Sequence, residues 1–416
     1  MKKKILALAV SGGLAAAPMG AMAAPEVYGL IDIGVEHYTD SDGANNVEIF
    51  NGLNSVDGNS DDRDVTLSNG MTSRLGVRGS EDIDFADLTA SYNIELQVNV
   101  LDDGGNATNT RLGWAALGGD WGKIKVGAQW QALYEFGGWN THRTDVHGYG
   151  TYYYATSVLN DSTRYGFRQD SAISWEYGSA WGHSDPFAAQ VTLGIGDGTQ
   201  TVGGDYAAGG LVTDESATIQ NEEGITSIQA AFQYSFDKRI SVNAVYHREF
   251  SDYDTGVVAS AEDRQSDFFS ETIPGSVTSD NPTGDTYGES ALETLAEANQ
   301  EPELWNVGAR WNVTDALELA ANYTLVDLDD ADNNKRDAVA IASVMDFGNG
   351  LTGHLGFSQA SDDRDSETDI DLNTYGFIKQ ALSDRTNVRL ELENIQYDND
   401  ANSSATVALV ALQHNF

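Results

Sequence analysis

Residues 87–102, DLTASYNIELQVNVLD, restrict what this chain can become more than any other stretch. From Leu88 to Val100 the side chains alternate without a break. Leu88, Ala90, Tyr92, Ile94, Leu96, Val98 and Val100 are apolar or aromatic; Thr89, Ser91, Asn93, Glu95, Gln97 and Asn99 are polar. A β-strand sends successive side chains to opposite faces, so this one has an oily face and a wet face. A tilted strand needs about 9–11 residues to cross a bilayer, and this run is long enough.

The pattern recurs. Phe187, Ala189, Val191, Leu193 and Ile195 make a second oily face, Ile228, Ala230, Phe232, Tyr234 and Phe236 a third, and Leu317, Leu319, Ala321, Tyr323 and Leu325 a fourth. Sixteen strands are predicted, starting near Val27, Gly70, Asp87, Thr110, Gly122, Thr163, Phe187, Thr226, Ile240, Glu303, Leu317, Ala338, Leu351, Leu372, Asn387 and Thr406. Tight turns at 237–239, 312–315, 348–350 and 383–384 alternate with long polar loops at 39–69, 197–225, 251–302 and 359–371. A membrane barrel with short periplasmic turns and long outer loops produces that alternation. Closure also leaves no unpaired edge, which a bilayer requires. The expected fold is therefore all-β: a transmembrane antiparallel β-barrel of 16 strands. The strands repeat a pattern and not a sequence, so one domain without internal duplication is expected.

The ends agree with this. Residues 1–23 have the features of an export signal: Lys2, Lys3 and Lys4, a mostly apolar stretch, then the small-x-small site Ala21-Met22-Ala23. The expected division is a signal peptide at 1–23 and a single barrel domain at 24–416. No later stretch approaches the roughly 20 apolar residues of a membrane helix. At the other end Ala408, Val410, Leu412, His414 and Phe416 share a face. Aromatic residues fall near strand ends (Tyr28, Trp114, Trp121, Trp175, Tyr177, Trp305, Trp311, Tyr375 and Tyr397), where interfacial girdles sit. Within 251–302, Ser290 and Glu293 form a capping box that predicts a short helix at 290–299.

Charge and composition narrow the partners. The net charge is −41, and loss of the three signal lysines takes it to −44. Nucleic acid needs a basic face and is not an expected partner; cations are attracted. Without cysteine there is no disulfide and no thiolate metal site. The acidic run Asp327, Asp329, Asp330, Asp332 misses the spacing of a calcium loop, so neither metal nor cofactor is expected. There is no G-x-S-x-G or H-E-x-x-H, and 118–123 has the wrong spacing for a phosphate loop. An enzyme is not expected.

Periodicity also aims the arginines. Arg74 and Arg78 oppose Met71, Leu75 and Val77 in parity; Arg111 alternates with Leu112 and Trp114; Arg164 and Arg168 share parity with Ser174 and Glu176. A charge facing lipid at the midplane costs about 2–4 kcal/mol, so these five are placed on the wet, inward face.

Several motifs resemble those of Gram-negative general diffusion porins. They are the run 73–82 (SRLGVRGSED), the pair 111–122 and 123–129 (RLGWAALGGDWG, KIKVGAQ), 134–138 (YEFGG), 168–173 (RQDSAI), the opening 27–32 (VYGLID) and the C-terminal Phe416 as a last-strand signature. Their order and spacing cover the whole expected mature chain. The resemblance implies a trimeric passive channel for ions and small hydrophilic solutes, set in outer-membrane lipid and lipopolysaccharide. It also implies delivery by periplasmic chaperones and the barrel-assembly machinery. It places the 130–162 loop inside the lumen, with Glu135 and Asp145 facing a basic wall of Arg74, Arg78, Arg111, Arg164 and Arg168. One departure stands out: Ala128 occupies a position where the family usually has a further wall arginine. With so acidic a chain, that implies a modest cation preference. The alternative is a channel selective for sugar or another small solute, hinted at by the stacking surfaces of Tyr152, Tyr153 and Tyr154.

Overall fold

The structure, a computed structural model, describes residues 25–40, 64–68, 73–83, 87–101, 108–139, 150–156, 167–181, 185–196, 200–202, 217–219, 224–236, 238–250, 301–328, 333–363, 369–397 and 404–416. The expected signal peptide, the helix expected at 290–299, Asp145 and Arg164 lie outside these residues.

The strands are β1 (Glu26–Asp40), β2 (Asp64–Ser68), β3 (Arg74–Ile83), β4 (Leu88–Val98), β5 (Thr108–Gly119), β6 (Gly122–Trp130), β7 (Arg168–Tyr177), β8 (Phe187–Gly196), β9 (Gln200–Val202), β10 (Ala217–Ile219), β11 (Gly224–Phe236), β12 (Ile240–Glu249), β13 (Glu303–Asn312), β14 (Leu317–Asp327), β15 (Lys335–Gly348), β16 (Leu351–Asp362), β17 (Ile370–Ala381), β18 (Thr386–Tyr397) and β19 (Ser404–Asn415). Two short helices, α1 (Leu133–Gly138) and α2 (Gly150–Thr156), interrupt the series. Each barrel strand pairs antiparallel with its sequence neighbour, and β8 pairs with β11 across the separate β9–β10 pair. β2 and β3 both pair with β1, on Gly34–Tyr38 and Glu26–Leu30 respectively, and so make two pieces of one barrel strand. The sheet closes where β1 meets β19, in a register running from Leu30↔Asn415 to Asp40↔Ala405. The result is a closed sixteen-strand antiparallel barrel.

Closure is completed at the C-terminal residue. Gly29 N–H donates to the Phe416 carbonyl at 3.0 Å and Phe416 N–H to the Gly29 carbonyl at 3.1 Å. The Phe416 ring lies across Gly29, where any Cβ would sit 2.2 Å from its Cζ. The turns show why the chain reverses where it does. At 348–350, Gly348, Asn349 and Gly350 all have positive φ (82°, 54° and 76°), a path open to glycine and asparagine but costly for most residues. At 383–386 the Ser383 hydroxyl oxygen accepts the Arg385 and Thr386 amides.

The predicted faces appear as expected on most strands. Ile31, Ile33, Val35, Ile94, Ile124, Val126, Ile173, Val191, Phe232, Tyr234, Ile341, Phe357 and Val410 are exposed on the outside, where hydrocarbon would cover them. Trp121, Trp175, Tyr177, Trp305 and Trp311 are outward and exposed, as an interfacial girdle requires. Tyr28, Trp114, Tyr375 and Tyr397 are not part of it. Tyr28 hydrogen-bonds to lumen-side Asn93 and Glu95, and Tyr375 and Tyr397 are buried on the inner side. The loop expected at 39–69 also ends earlier, because residues 64–68 are strand β2.

The inner surface is not uniformly wet. Val245, Leu304, Val326, Ile370 and Ile395 face inward and form one buried cluster with Leu133, Tyr134 and Phe136 of α1 and Tyr152 and Ala155 of α2. α1 packs on β11–β13 and α2 on β14–β17. The segment after β6 therefore folds into the barrel and lies on the wall opposite β3–β7, as the resemblance implied. Irregular backbone is tolerated at membrane depth where it is covered by protein or lines water.

Candidate constriction

On the β3–β5 wall, β3 and β4 pair so that Arg74 stands opposite Gln97, with Glu95 one inward position along. Glu95 is the hub. Its Oε1 accepts from Arg111 Nε at 2.7 Å and lies 3.8 Å from Arg74 Nη1, and its Oε2 lies 3.0 Å from the Tyr28 hydroxyl. Arg111 reaches it because of a bulge: Glu95 pairs with Leu112 and Leu96 with Thr110, leaving Arg111 as the extra residue. An extra residue resets the alternation. Arg111 and Leu112 both turn inward, and Trp114, expected with Leu112 on the lipid side, stands opposite lumen-side Asn93. The Trp114 ring instead supports two ammonium groups, Lys125 at 5.1 Å and Lys123 at 5.9 Å.

A second bulge lies between β6 and β7, where Gly127 pairs with Ala172 and Gln129 with Gln169, so that Asp170 and Ser171 of β7 together face the single Ala128. Gly127 has φ +121°, and a Cβ there would lie 2.1 Å from the Gly113 carbonyl oxygen. Gln129 keeps the inward parity of Lys125 and accepts the Ser174 hydroxyl at 2.6 Å. Trp130 follows, opposite Arg168. Its ring lies between two guanidinium groups, Arg168 at 5.5 Å and Arg111 at 5.7 Å, and stacks on Tyr134 of α1 at 4.9 Å. The basic wall and the inserted loop thus share an aromatic hinge.

A charged set that periodicity alone did not single out lies on the same wall. Glu176 of β7 pairs with Lys123 at 2.9 Å and with Lys125. Their alternation was visible in KIKV and SWEY; the pairing was not, because it depends on register. Glu135 of α1 faces this set. Burial pushes its carboxyl up to about 7, opposed first by Lys125; Glu176 pushes it further up, while Lys123 and a hydrogen bond from Trp181 lower it.

The structure brings Arg74, Arg111, Arg168 and Glu135 to this region. Arg78 stands apart. It lies four residues along β3 from Arg74, about 13 Å by strand rise, and forms an exposed ion pair with Glu26 at 2.8 Å. The inserted loop is held to the opposite wall by the Leu133 amide, which donates to Gln229 Oε1 at 3.4 Å, and by the fit of Gly137 against Asn306. Tyr152 packs inside α2 against Phe167 at 5.4 Å and is buried, so that ring offers no open stacking face. The arrangement sets the charges of the wall and of the inserted loop against one another on the inner side of the barrel.

The family model for Gram-negative porins matches residues 7–400. No curated protein sequence matches the chain. Among solved structures, the anion-selective porin from Comamonas acidovorans superposes with a TM-score of 0.64 at 15% identity, covering 94% of this chain and 99% of that one. OmpF of Salmonella typhi, solved with daunomycin, gives 0.57 at 13% identity, with 94% and 97% covered. OmpT of Vibrio cholerae in its trimer form gives 0.54 at 14% identity, with 95% and 100% covered. These likenesses support the barrel fold. With a family match across nearly the whole length, a closed barrel and a charged cluster on its inner wall, the chain belongs to the Gram-negative porin family: it is an outer-membrane diffusion channel and not an enzyme.

Proposed function

We propose that this channel passes ions and small hydrophilic solutes with a modest cation preference that originates at its acidic mouth rather than at its constriction. The observation that carries this reading is the charge balance of the narrow region. Among the described residues, Arg74, Arg111, Arg168, Lys123 and Lys125 stand against Glu95, Glu135 and Glu176, with Asp170 beside Arg168. Losing a wall arginine at Ala128 therefore does not make the wall acidic, because Lys123 and Lys125 stand on the same strand. The excess negative charge lies elsewhere: 251–302, for example, is acid-rich with Arg264 as its single basic residue.

A mouth potential is screened by salt, since the Debye length falls from about 10 Å at 0.1 M to about 3 Å at 1 M. The test is the reversal potential of single channels in a KCl gradient at two mean concentrations. Cation preference at low salt that fades toward neutrality at high salt is expected; preference unchanged by salt would place its origin at the constriction.

We further propose that residues 1–23 are removed on export, leaving 24–416 as the working domain, and that Phe416 serves as the last-strand signal to the assembly machinery. We also propose outer-membrane lipid and lipopolysaccharide as its surroundings and a homotrimer as its assembly, the latter supported by the trimer form of the similar OmpT. Cross-linking of detergent-solubilised protein tests the oligomer.

A further inference from the structure

We infer that Trp181 is a positioning residue that tunes the selectivity of the constriction on top of the preference set at the mouth: from the turn after β7 it clamps the inserted loop and fixes Glu135 against the β6–β7 wall.

Trp181 lies in the connection between β7 and β8. A residue in such a turn has no inherent reason to touch a loop that enters the barrel after β6, yet it does so three times. Its indole N–H donates to Glu135 Oε1 at 3.2 Å. Its ring lies 6.3 Å from Tyr134, edge to face, and 5.8 Å from Trp139. Tyr134 in turn contacts Trp130 at 4.9 Å and Phe167 at 4.5 Å. An unbroken aromatic series thus runs from Arg111 and Arg168, through Trp130 and Tyr134, to Trp181.

The turn is built to hold that ring still. Gly178 takes φ +67°, where a Cβ would lie 2.4 Å from the Phe187 carbonyl oxygen. The Ser179 amide donates to Asp185 Oδ2 at 2.8 Å and the Trp181 amide to the Ser179 hydroxyl oxygen at 3.2 Å. Ala180 is buried in the same apolar cluster as Ala188 and the loop residues. Trp181 itself remains 39% exposed, so it is a clamp and not a core residue.

The consequence falls on Glu135. Its carboxylate is faced by Lys123 and Lys125 from β6, by Glu176 from β7 and by the Trp181 indole. The lysines attract it, but both already pair with Glu176, which repels it. The indole N–H supplies direction. It favours the charged carboxylate and holds it at one place on the constriction.

Trp181→Phe separates direction from bulk, since it keeps a ring and removes the N–H. Trp181→Ala removes both. Each is refolded, checked for heat-modifiable mobility on gels, and recorded in planar bilayers from about pH 5 to about pH 9, a window that brackets titration of the raised carboxyl. The Phe variant is expected to keep conductance within about a fifth of wild type while the midpoint of its reversal-potential profile moves up by about half a pH unit or more. The Ala variant is expected to change conductance by about 1.5-fold with added open-channel noise, as a loosened constriction would. A Phe profile that coincides with wild type overturns the assignment, whatever the Ala variant does, and it decides alone should Ala not fold. The inference rests on the channel reading: folded wild-type protein that conducts nothing sinks the channel, whereas a conducting wild type with an unmoved Phe profile sinks Trp181 only.

Discussion

At the scale of single residues, the constriction is governed by which carboxylate meets which cation. Glu95 joins Arg74 and Arg111, both of them cations that periodicity alone had aimed inward. Replacing it by glutamine keeps its shape and removes its charge. Arg111, only 6% exposed, is then left without its close partner. Glu95→Gln is expected to shift the reversal potential toward anions and to lower stability by about 1–3 kcal/mol, read from urea unfolding. Arg74→Ala and Arg111→Ala should shift it toward cations. A common direction for all three variants would remove electrostatics as the cause. Acidity gives a second test. Glu135, raised by burial, carries its charge above its elevated pKa and loses it as pH falls through that value. Cation preference should therefore be higher at about pH 8 than at about pH 6, a range in which an ordinary carboxylate does not titrate. Glu135→Gln should flatten that step; a step of full size in the variant would assign it to another group.

At the scale of elements, the strands were legible because alternation is a local property. On β8, β11 and β14 every residue expected to face lipid does so, and the tight turns at 312–315, 348–350 and 383–384 fall between strands. What the sequence hid was register. The bulges at Arg111 on β5 and at Asp170–Ser171 on β7 each insert one residue, which a period-two reading passes over, and the first of them turned Leu112 and Trp114 inward against expectation. The partners of Arg74, Arg111 and Lys125 were hidden for the same reason, since ion pairs across strands exist only once pairing is known. Nor could alternation show that part of the inner face is apolar: Val245, Leu304 and Val326 face inward because α1 and α2 cover that wall. Insertion of that loop came from family likeness, not from periodicity. The bulge between β6 and β7 makes its own prediction. Gly127→Ala places a methyl where the backbone has φ +121° and the Gly113 oxygen is 2.1 Å away. It should cost about 1–3 kcal/mol and lower the yield of heat-resistant barrel; a wild-type yield and urea midpoint would mean the bulge relaxes freely.

At the scale of the whole molecule, one sheet performs two tasks. Its outer face carries apolar side chains to lipid while its inner face carries charges to water, and closure between β1 and β19 satisfies the edge groups that hydrocarbon could not. On the proposed reading, acid-rich segments such as 251–302 supply the mouth potential, and the wall and inserted loop supply the narrow region. All of this requires a continuous aqueous path through the closed barrel. The most direct measurement is planar-bilayer recording of purified, folded protein at low and high KCl. Discrete conductance steps that grow with salt and are close to ohmic at small voltages are predicted. Folded barrels that insert into the bilayer and yet carry no current would contradict the account.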